Sequence, residues 1–294
     1  MKPPPFRYAR ANNLEEAVSM LGEYGDVAKV LAGGQSLMPL LALRLARPEI
    51  IVDINALDEL DYVKLDGSTL TIGALTRHRT VEHDPIVKDL LPFVSEAVGQ
   101  IGHVAIRNRG TVGGSIVHAD PAAEWPTLLL ALDGEVAAVS SRGTRSIAAT
   151  EFFTSYLTTA LAADEIVQSV RFTLPQGAVG MSFLELARRH GDFAIVGVAV
   201  VVGIGAGGTV MHSRIALSGV ASTVVRAENA ENQLLGESFD RTKIEAAAEA
   251  VSEEIDPVGD IHGSSAYRRK VARVLTRRAL ATASERLEGK LNHG

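Results

Sequence analysis

The stretch Lys29-Val30-Leu31-Ala32-Gly33-Gly34-Gln35-Ser36 is the segment around which the fold is organised. An apolar run from Val27 to Leu31 is typical of a strand and stops at the two glycines. Ser36 then precedes an apolar segment, residues 37–45, which predicts a helix with Ser36 as its N-cap. Because a strand, a glycine turn and a helix start direct free backbone N–H groups toward one point, the segment predicts an anion-binding loop.

A second glycine pair repeats this chemistry further along the chain, in Thr111-Val112-Gly113-Gly114-Ser115. A single pair of glycines between two elements is usually just a turn. Two glycine loops that each end in serine instead predict a grip on the two phosphates of a dinucleotide from opposite sides.

Composition limits the classes of function. The chain has 294 residues, which suggests two domains, and it is 46% hydrophobic and 22% charged. Its 29 basic and 35 acidic residues give a net charge of −6, which argues against a nucleic-acid-binding protein. It contains no cysteine, which excludes disulfides, a thiolate nucleophile and a thiolate-bound iron–sulfur cluster within this chain.

No segment has the composition of a targeting signal or a membrane span. Residues 1–5, Met-Lys-Pro-Pro-Pro, lack the apolar region of a signal peptide. The apolar run at residues 193–208 is rich in glycine and shorter than the about 20 residues that a membrane helix needs. We therefore expect a cytoplasmic protein without a membrane span.

The first 176 residues predict an α+β domain built of two parts, residues 1–55 and 56–176. In the first part, Asn13-Leu14-Glu15-Glu16 resembles a capping box that opens a helix ending near Gly22 or Gly25. Strands are expected at 27–31, 50–54, 62–65, 69–72, 135–140 and 165–173, and helices at 37–45, 86–98 and 122–132. Asp66-Gly67 suits a hairpin turn, Asp120-Pro121 suits a helix start, and residues 101–115 are expected to be a loop.

A second domain is expected to follow Pro175-Gln176-Gly177 and to extend over residues 177–288. Its strands are predicted at 181–188, 193–204 and 210–219, and its helices at 224–236, 240–253 and 264–287. The order βββααα predicts an antiparallel sheet with helices on one side.

Residues 203–208, Gly-Ile-Gly-Ala-Gly-Gly, satisfy the glycine pattern of a nicotinamide-binding fold, and Glu228 follows at a suitable distance. That pattern requires a helix to open at its third glycine, yet residues 209–215 alternate like a strand. We therefore predict a glycine-rich hairpin that contacts no nucleotide.

The eight histidines form no metal-binding pattern; His118-Ala119-Asp120 comes nearest to one. His103 and His118 flank the second glycine pair and could line a site, although a structural role is favoured for both. The basic run at residues 268–278 has apolar residues at helical spacing, which predicts a solvated or partner-facing helix with its arginines on the outer face.

Glu124 stands at the start of the helix that follows the second glycine pair. A carboxylate there could accept hydrogen bonds from a ribose, or it could complement the helix dipole. The residues alone do not separate these two interpretations.

Taken together, Ala32 to Ser36 and the segment Ile106-Arg107-Asn108-Arg109-Gly110-Thr111-Val112-Gly113-Gly114-Ser115 resemble the FAD-binding medium subunits of molybdenum hydroxylases. This family includes carbon monoxide dehydrogenase and xanthine dehydrogenase. The resemblance covers nearly the whole chain. It implies an FAD-binding domain of the vanillyl-alcohol-oxidase type, made of two subdomains, followed by a C-terminal domain like that of the carbon monoxide dehydrogenase flavoprotein.

The resemblance also implies which residues bind FAD. Lys29, Val30, Leu31, Ala32, Gly33, Gly34, Gln35 and Ser36, together with Thr111, Val112, Gly113, Gly114 and Ser115, would hold the pyrophosphate. Ile101 would lie along the cofactor, Glu124 would hold the adenosine ribose, Val167 would lie near the flavin, and Asp192 and Phe193 would cover the isoalloxazine. One departure is that residues 183–186, Phe-Leu-Glu-Leu, contain no lysine where relatives often carry one.

The resemblance implies a function in electron transfer. The chain would receive electrons from the [2Fe-2S] clusters of a small subunit, while substrate oxidation takes place at molybdopterin in a large subunit. A dimer of heterotrimers is the assembly implied, and neither a catalytic residue nor a metal site is expected in this chain. The alternatives are a free-standing flavin oxidase of the vanillyl-alcohol-oxidase type and a nucleotide-binding scaffold without activity.

Overall fold

The structure is a computed structural model that describes residues 2–205 and 207–293, with side chains through residue 289. Its first part is a parallel sheet in the order β1-β3-β2, flanked by helices. Its elements are β1 (Arg7–Arg10), α1 (Leu14–Tyr24), β2 (Ala28–Leu31), α2 (Leu37–Ala42) and β3 (Ile50–Asp53).

Helix α1 begins and ends where the sequence predicts. The Asn13 side chain accepts a hydrogen bond from the amide of Glu16 at 2.8 Å, and Glu16 Oε2 accepts one from the amide of Asn12. The helix ends at Gly25, whose φ of 53° falls in the region that favours glycine. The Asn13 N-cap and the C-terminal glycine are therefore confirmed, whereas the capping box is incomplete, because Glu16 bonds to the amide of Asn12 and not to that of Asn13.

The second part contains an antiparallel sheet in the order β4-β5-β10-β6-β7, with helices packed against it. Its strands are β4 (Val63–Asp66), β5 (Thr69–Gly73), β6 (Glu135–Ser140), β7 (Gly143–Ala148), β8 (Phe153–Ser155), β9 (Thr158–Thr159) and β10 (Ile166–Thr173). Its helices are α3 (His78–His83), α4 (Pro85–Leu90), α5 (Pro92–Gln100), α6 (Val104–Arg107), α7 (Val112–His118), α8 (Glu124–Ala131) and α9 (Ala149–Phe152).

Three local predictions in this part were wrong. The helix expected at 86–98 is divided into α4 and α5, because Pro92 has no N–H group with which to continue the first of them. The expected loop at 101–115 contains α6 and the start of α7. Helix α8, predicted to begin at residue 122 after Asp120-Pro121, begins at Glu124. Asp120 does not cap the helix; its side chain accepts the amide of Ala122 at 2.8 Å in a turn that precedes it.

The third part is an antiparallel sheet in the order β11-β12-β13-β14, with the last helices of the chain on one face. Its elements are β11 (Ala178–Leu186), β12 (Val196–Ile204), β13 (Val210–Ser218), β14 (Val225–Arg226), α10 (Glu228–Asn232), α11 (Arg241–Glu254) and α12 (Ser265–His293). The helix predicted at 224–236 is therefore wrong at its start, because residues 225–226 pair with β13 as a fourth strand in the described sheet.

Alternate residues of β12 belong to different hydrophobic cores. Val198, Val200 and Val202 pack with α11 and α12, whereas Ala199 and Val201 belong to the core of the second part. An antiparallel strand covered on both faces has no polar face, which explains why residues 196–202 read as a continuous apolar run. The second part and the C-terminal sheet therefore share one core, with α8 between them.

Residues 203–208 connect two antiparallel strands, so the predicted hairpin is confirmed. The amide of Gly205 bonds to the carbonyl of Thr209 at 2.9 Å, and β12 and β13 pair on either side of the turn. Ala206 lies outside the described residues. Across the helices that the structure describes, none combines the length and the apolar character needed to span a bilayer.

Candidate functional site

The two glycine motifs meet at one wall of a cavity of about 790 Å³. A Cβ atom on Gly33 would lie 2.8 Å from Cα of Gly110 and would overlap the carbonyl oxygen of Arg109. Because no side chain fits there, a glycine at position 33 lets the two motifs touch. The sequence predicted two loops acting on one ligand, and the structure brings them into direct backbone contact.

The first glycine loop presents amide groups to which no described part of the protein bonds. Among the described residues, no protein acceptor bonds to the backbone N–H groups of Gly33, Gly34, Gln35 or Ser36. Gly34 has a φ of 73°, a conformation that residues with a side chain rarely adopt. Ser36 makes no side-chain cap to α2, contrary to our prediction, so its hydroxyl is also not engaged there. A row of such donors suits an anion.

The second motif is built differently from the prediction, because it is the first turn of a helix rather than a loop. Thr111 is the N-cap of α7, and its Oγ1 accepts the amide of Gly114 at 3.1 Å. The amides of Val112 and Gly113 bond to the carbonyls of Thr76 and Ala74. The glycines of this motif therefore permit close packing, and its amides hold neighbouring backbone.

A chain of polar contacts fixes the first loop against the second. Asn55 donates to the carbonyl of Ala32 at 2.8 Å and accepts from Arg77 Nη2 at 2.8 Å. Arg77 Nη1 in turn donates to the carbonyl of Arg109 at 2.5 Å. Asp53 accepts from Asn55 at 2.7 Å, which completes the support behind the loop. Burial, followed by the charge of Arg109, lowers the pKa of Arg77.

Ile101 lies on the cavity wall at a turn that a buried arginine holds in place. Arg107 donates to the carbonyls of Ile101 and Gly102, each at 3.1 Å, and its Nε bonds to Glu82 at 2.9 Å. Val167, on the adjoining wall, lies in β10 where the register of its pairing with β6 shifts.

Asp192 and Phe193 lie at the edge of the cavity on the segment before β12, and the Phe193 ring is exposed. Arg268 anchors the end of this segment by donating to the carbonyls of Ile195 and Gly219 and to Asp260, the last at 2.7 Å. Arg268 is only 7% exposed, so the prediction that the basic run lies wholly on the outer face was wrong for this residue. Arg273 and Arg277, by contrast, lie at the surface and pair with Glu249 and Glu245.

Glu124 is buried in the cavity wall at the start of α8, with 6% of its surface exposed. Burial raises its pKa to about 8, and the charges of Glu185 and Asp120 raise it in the same direction. Glu185, in the segment without a lysine, has a pKa that burial raises to about 7. Its Oε2 has no hydrogen-bond partner among the described residues. Glu124 on the cavity wall, and Glu185 close enough to influence it, are therefore two carboxyl groups whose uncharged forms are favoured by burial.

The structure places most of the predicted residues around the same cavity. Those that line it are Lys29, Val30, Ala32, Gly33, Gly34, Gln35, Ser36, Ile101, Thr111, Gly113, Gly114, Ser115, Glu124, Val167, Asp192 and Phe193.

Two predicted residues lie elsewhere. Leu31 lines an adjoining cavity of about 410 Å³, together with Asp53, Asn55 and Arg109. Val112 is buried in the hydrophobic core because its position in α7 turns its side chain inward, and its amide already bonds to Thr76.

Several residues of the cavity were missed from the sequence. His78 stands behind the second motif, while Leu157, Leu161 and Ile166 add apolar surface near Val167. The only sequence feature that could have pointed to His78 was its position after a strand, in Thr76-Arg77-His78. No sequence feature marked Leu157, Leu161 or Ile166 as cavity residues. His118 lines the cavity, whereas His103 packs beside Gly191 at its edge. No group of three or more metal-ligating side chains occurs within the described residues.

Comparison with known proteins agrees with this geometry. Residues 4–175 match the FAD binding domain in molybdopterin dehydrogenase, and residues 181–283 match the CO dehydrogenase flavoprotein C-terminal domain.

Two relatives illustrate the likeness in sequence. The chain is 43% identical over 287 residues, 97% of each protein, to the 6-hydroxypseudooxynicotine dehydrogenase complex subunit alpha of Paenarthrobacter nicotinovorans. It is 38% identical over 283 residues to the carbon monoxide dehydrogenase medium chain of Hydrogenophaga pseudoflava, covering 96% of this chain and 98% of that one.

A solved structure of carbon monoxide dehydrogenase from Hydrogenophaga pseudoflava that lacks the Mo-pyranopterin moiety superposes with a TM-score of 0.94 at 40% identity. The match covers 97% of this chain and 99% of that one, which confirms the predicted combination of an FAD-binding domain and a C-terminal domain. The chain belongs to the family of FAD-binding medium subunits of molybdenum hydroxylases, and it is an oxidoreductase subunit whose own cofactor is FAD.

Proposed function

We propose that this chain holds one FAD non-covalently in the cavity at the two glycine motifs and serves as an electron-transfer subunit. It would receive electrons from the [2Fe-2S] clusters of a partner subunit and deliver them to a final acceptor. The observation that carries the proposal is the row of amides at Gly33 to Ser36 that have no acceptor among the described residues, in a loop that lines a cavity of about 790 Å³.

The residues around the cavity fit FAD in three respects. The free amides of the first loop suit a pyrophosphate, since backbone N–H groups without partners bind anions well. Apolar side chains at Ile101, Val167 and Phe193 suit a flat ring system. A buried carboxyl group at Glu124 suits the hydroxyl groups of a ribose.

In this assignment each part of the chain has a separate role. The first loop would donate hydrogen bonds to the pyrophosphate, and Lys29 would add a positive charge nearby. The second motif would support the first through the contact of Gly33 with Gly110. When bound, FAD supplies the capacity to take up electrons singly and to release them as a pair. The protein's part is to bind and orient the cofactor and to limit the access of water.

The names of the relatives describe them as subunits of dehydrogenase complexes, and this supports partner subunits for the present chain. We propose that an iron–sulfur small subunit and a molybdopterin large subunit are those partners, in a dimer of heterotrimers. The absence of cysteine from the sequence means that any thiolate-bound cluster belongs to another chain.

The contact between the two motifs gives the test of the site. Gly33→Ala would force the loops apart, since a Cβ atom there overlaps the backbone of Arg109. We expect this variant to fold and to lose FAD affinity at least about tenfold, which is what loss of one or two charge-assisted hydrogen bonds produces. Fluorescence titration of the FAD-free chain measures the affinity.

Gly22→Ala is the matched control, because nothing lies within 4 Å of a Cβ atom at that position in α1. It should bind FAD like the unmodified chain. A folded Gly33→Ala protein that keeps full affinity would show that FAD is held elsewhere.

A further inference from the structure

His78, the first residue of α3, is a buried histidine on the cavity wall that has no part in the contacts described so far. Its side chain is 4% exposed, and it borders the cavity together with Gly110 and Thr111. Its backbone amide bonds to the carbonyl of Gly110 at 3.0 Å, so the residue is attached directly to the second glycine motif.

The surroundings of the imidazole fix which of its nitrogens carries the proton. Trp125 Nε1 donates a hydrogen bond to His78 Nδ1 at 3.1 Å. An indole N–H can only donate, so Nδ1 must be the unprotonated acceptor and Nε2 must carry the hydrogen of the neutral ring. Burial, followed by the charges of Arg107 and Arg77, lowers the pKa of His78 to about 3, so the ring is neutral near pH 7.

Among the described residues no protein atom accepts a hydrogen bond from Nε2–H, so this donor is free to bond to a ligand in the cavity that His78 lines. A Cβ atom on Gly110 would lie 2.8 Å from this nitrogen. A Cβ atom on Gly33 would lie 2.8 Å from Cα of the same Gly110. The donor edge of the imidazole therefore lies against the junction of the two motifs.

We infer that His78 donates a hydrogen bond from Nε2 to the pyrophosphate of the bound FAD. The inference rests on the proposed cofactor site, and it gives the cavity a side-chain donor in addition to the amides of the first loop. Trp125 is then a positioning residue, because its indole holds His78 in the tautomer that can donate. A neutral donor of this kind keeps its hydrogen at any pH at which the protein is folded.

Nitrogen NMR of the FAD-free chain labelled with ¹⁵N-histidine tests the inference directly. The spectrum should show His78 as a neutral ring with the hydrogen on Nε2, assigned by its disappearance in His78→Phe. Addition of FAD, and separately of ADP as a probe for the phosphates, should shift the Nε2–H signal. A shift with FAD and riboflavin but none with ADP would assign the donor to the flavin half and overturn the inference.

Affinity provides the second measurement. His78→Phe keeps a ring of similar shape but removes the donor, and it should weaken FAD binding about tenfold or more. His83→Phe, on the same helix but at the surface, should leave the affinity unchanged. Trp125→Phe should weaken binding less than His78→Phe, because Nε2 is then protonated only part of the time.

Failure of this inference can be told apart from failure of the proposed site. If Gly33→Ala loses FAD while the His78 signal of the unmodified chain is unmoved by FAD, the site stands and the role of His78 is wrong. If Gly33→Ala keeps FAD and the His78 signal is unmoved, the site itself is wrong.

Discussion

At the scale of single residues, the buried carboxyl of Glu124 makes a specific prediction about pH. Its pKa is about 8 in the folded chain against an ordinary value of 4.5. Folding therefore holds a proton that the unfolded chain releases, so Glu124 reduces stability as the pH rises through this interval. The sign is the reverse of that for a carboxyl in an ion pair.

We expect the melting temperature of the FAD-free protein to fall between about pH 5 and about pH 8, and the melting temperature of Glu124→Gln to fall much less. At the upper pH the variant should be the more stable protein, because the amide has no proton to release. Thermal unfolding of the two proteins across this range is the measurement.

Glu151→Gln is a suitable control, since Glu151 is exposed, and it should follow the unmodified protein. Parallel pH curves for Glu124→Gln and the unmodified chain would mean that Glu124 ionises normally in the folded state. Glu185→Gln should give an intermediate curve, because Glu185 contributes to the shift at Glu124.

At the scale of elements, α12 is linked to the cavity edge through Arg268. This side chain bonds to the carbonyls of Ile195 and Gly219, and Ile195 closely follows Asp192 and Phe193 in the chain. Loss of the guanidinium would leave the buried carbonyl of Ile195 and the partly buried carbonyl of Gly219 without this donor.

Arg268→Met should lower the free energy of unfolding by about 2 kcal/mol or more, since each buried acceptor left unpaired costs about 1–3 kcal/mol. Arg273→Met, at an exposed position paired with Glu249, should change it by at most about 0.5 kcal/mol. Chemical denaturation of both variants measures the difference. Equal stability of the two variants would show that Arg268 is not a structural link.

The elements also show which features a sequence can predict. The glycine turn after β2, the Asn13 cap and the hairpin at residues 203–208 depend on residues close together in the chain, and all three are confirmed. The start of α7 was missed because the amides of Val112 and Gly113 bond to Thr76 and Ala74, which lie 36 and 39 residues earlier in the chain and which no local pattern reveals.

In the site, too, local motifs could be predicted from the sequence and contacts between distant segments could not. Sixteen of the residues implied by the resemblance line the cavity, because motif and position determine them. The position of His78 on the cavity wall could not be predicted, since it depends on the packing of α3 against the second motif. The burial of Arg268 could not be predicted either, because in the sequence it belongs to a run of basic residues that are mostly exposed. Strand β14 was missed because two residues carry too little periodicity to show a strand.

At the scale of the whole molecule, we expect this chain to work only within a larger complex. Co-expressed with the proposed iron–sulfur and molybdopterin subunits, it should co-purify with one copy of each, at twice the mass of the heterotrimer. Size-exclusion chromatography with light scattering measures this assembly. An organic substrate that reduces the flavin of the complex should not reduce the flavin of the isolated chain, although dithionite should.

Flavin bleaching by the organic substrate in the isolated chain would contradict this expectation and favour a free-standing flavin oxidase. Recovery of the chain alone from the co-expression, with its flavin intact, would contradict the proposed partners. A scaffold without redox activity would show no bleaching with dithionite.

Hydrogen exchange of the whole chain, with and without FAD, tests the central claim most directly. The amides of Gly33 to Ser36, which have no acceptor in the described part of the chain, should exchange rapidly in the FAD-free chain and become strongly protected when FAD is added. Residues 112–115, whose amides already bond within the protein, should change less, and the hairpin at residues 203–209 should not change. Protection of that hairpin, or no new protection at Gly33 to Ser36 in a chain saturated with FAD, would show that the cofactor does not bind where the two glycine motifs meet.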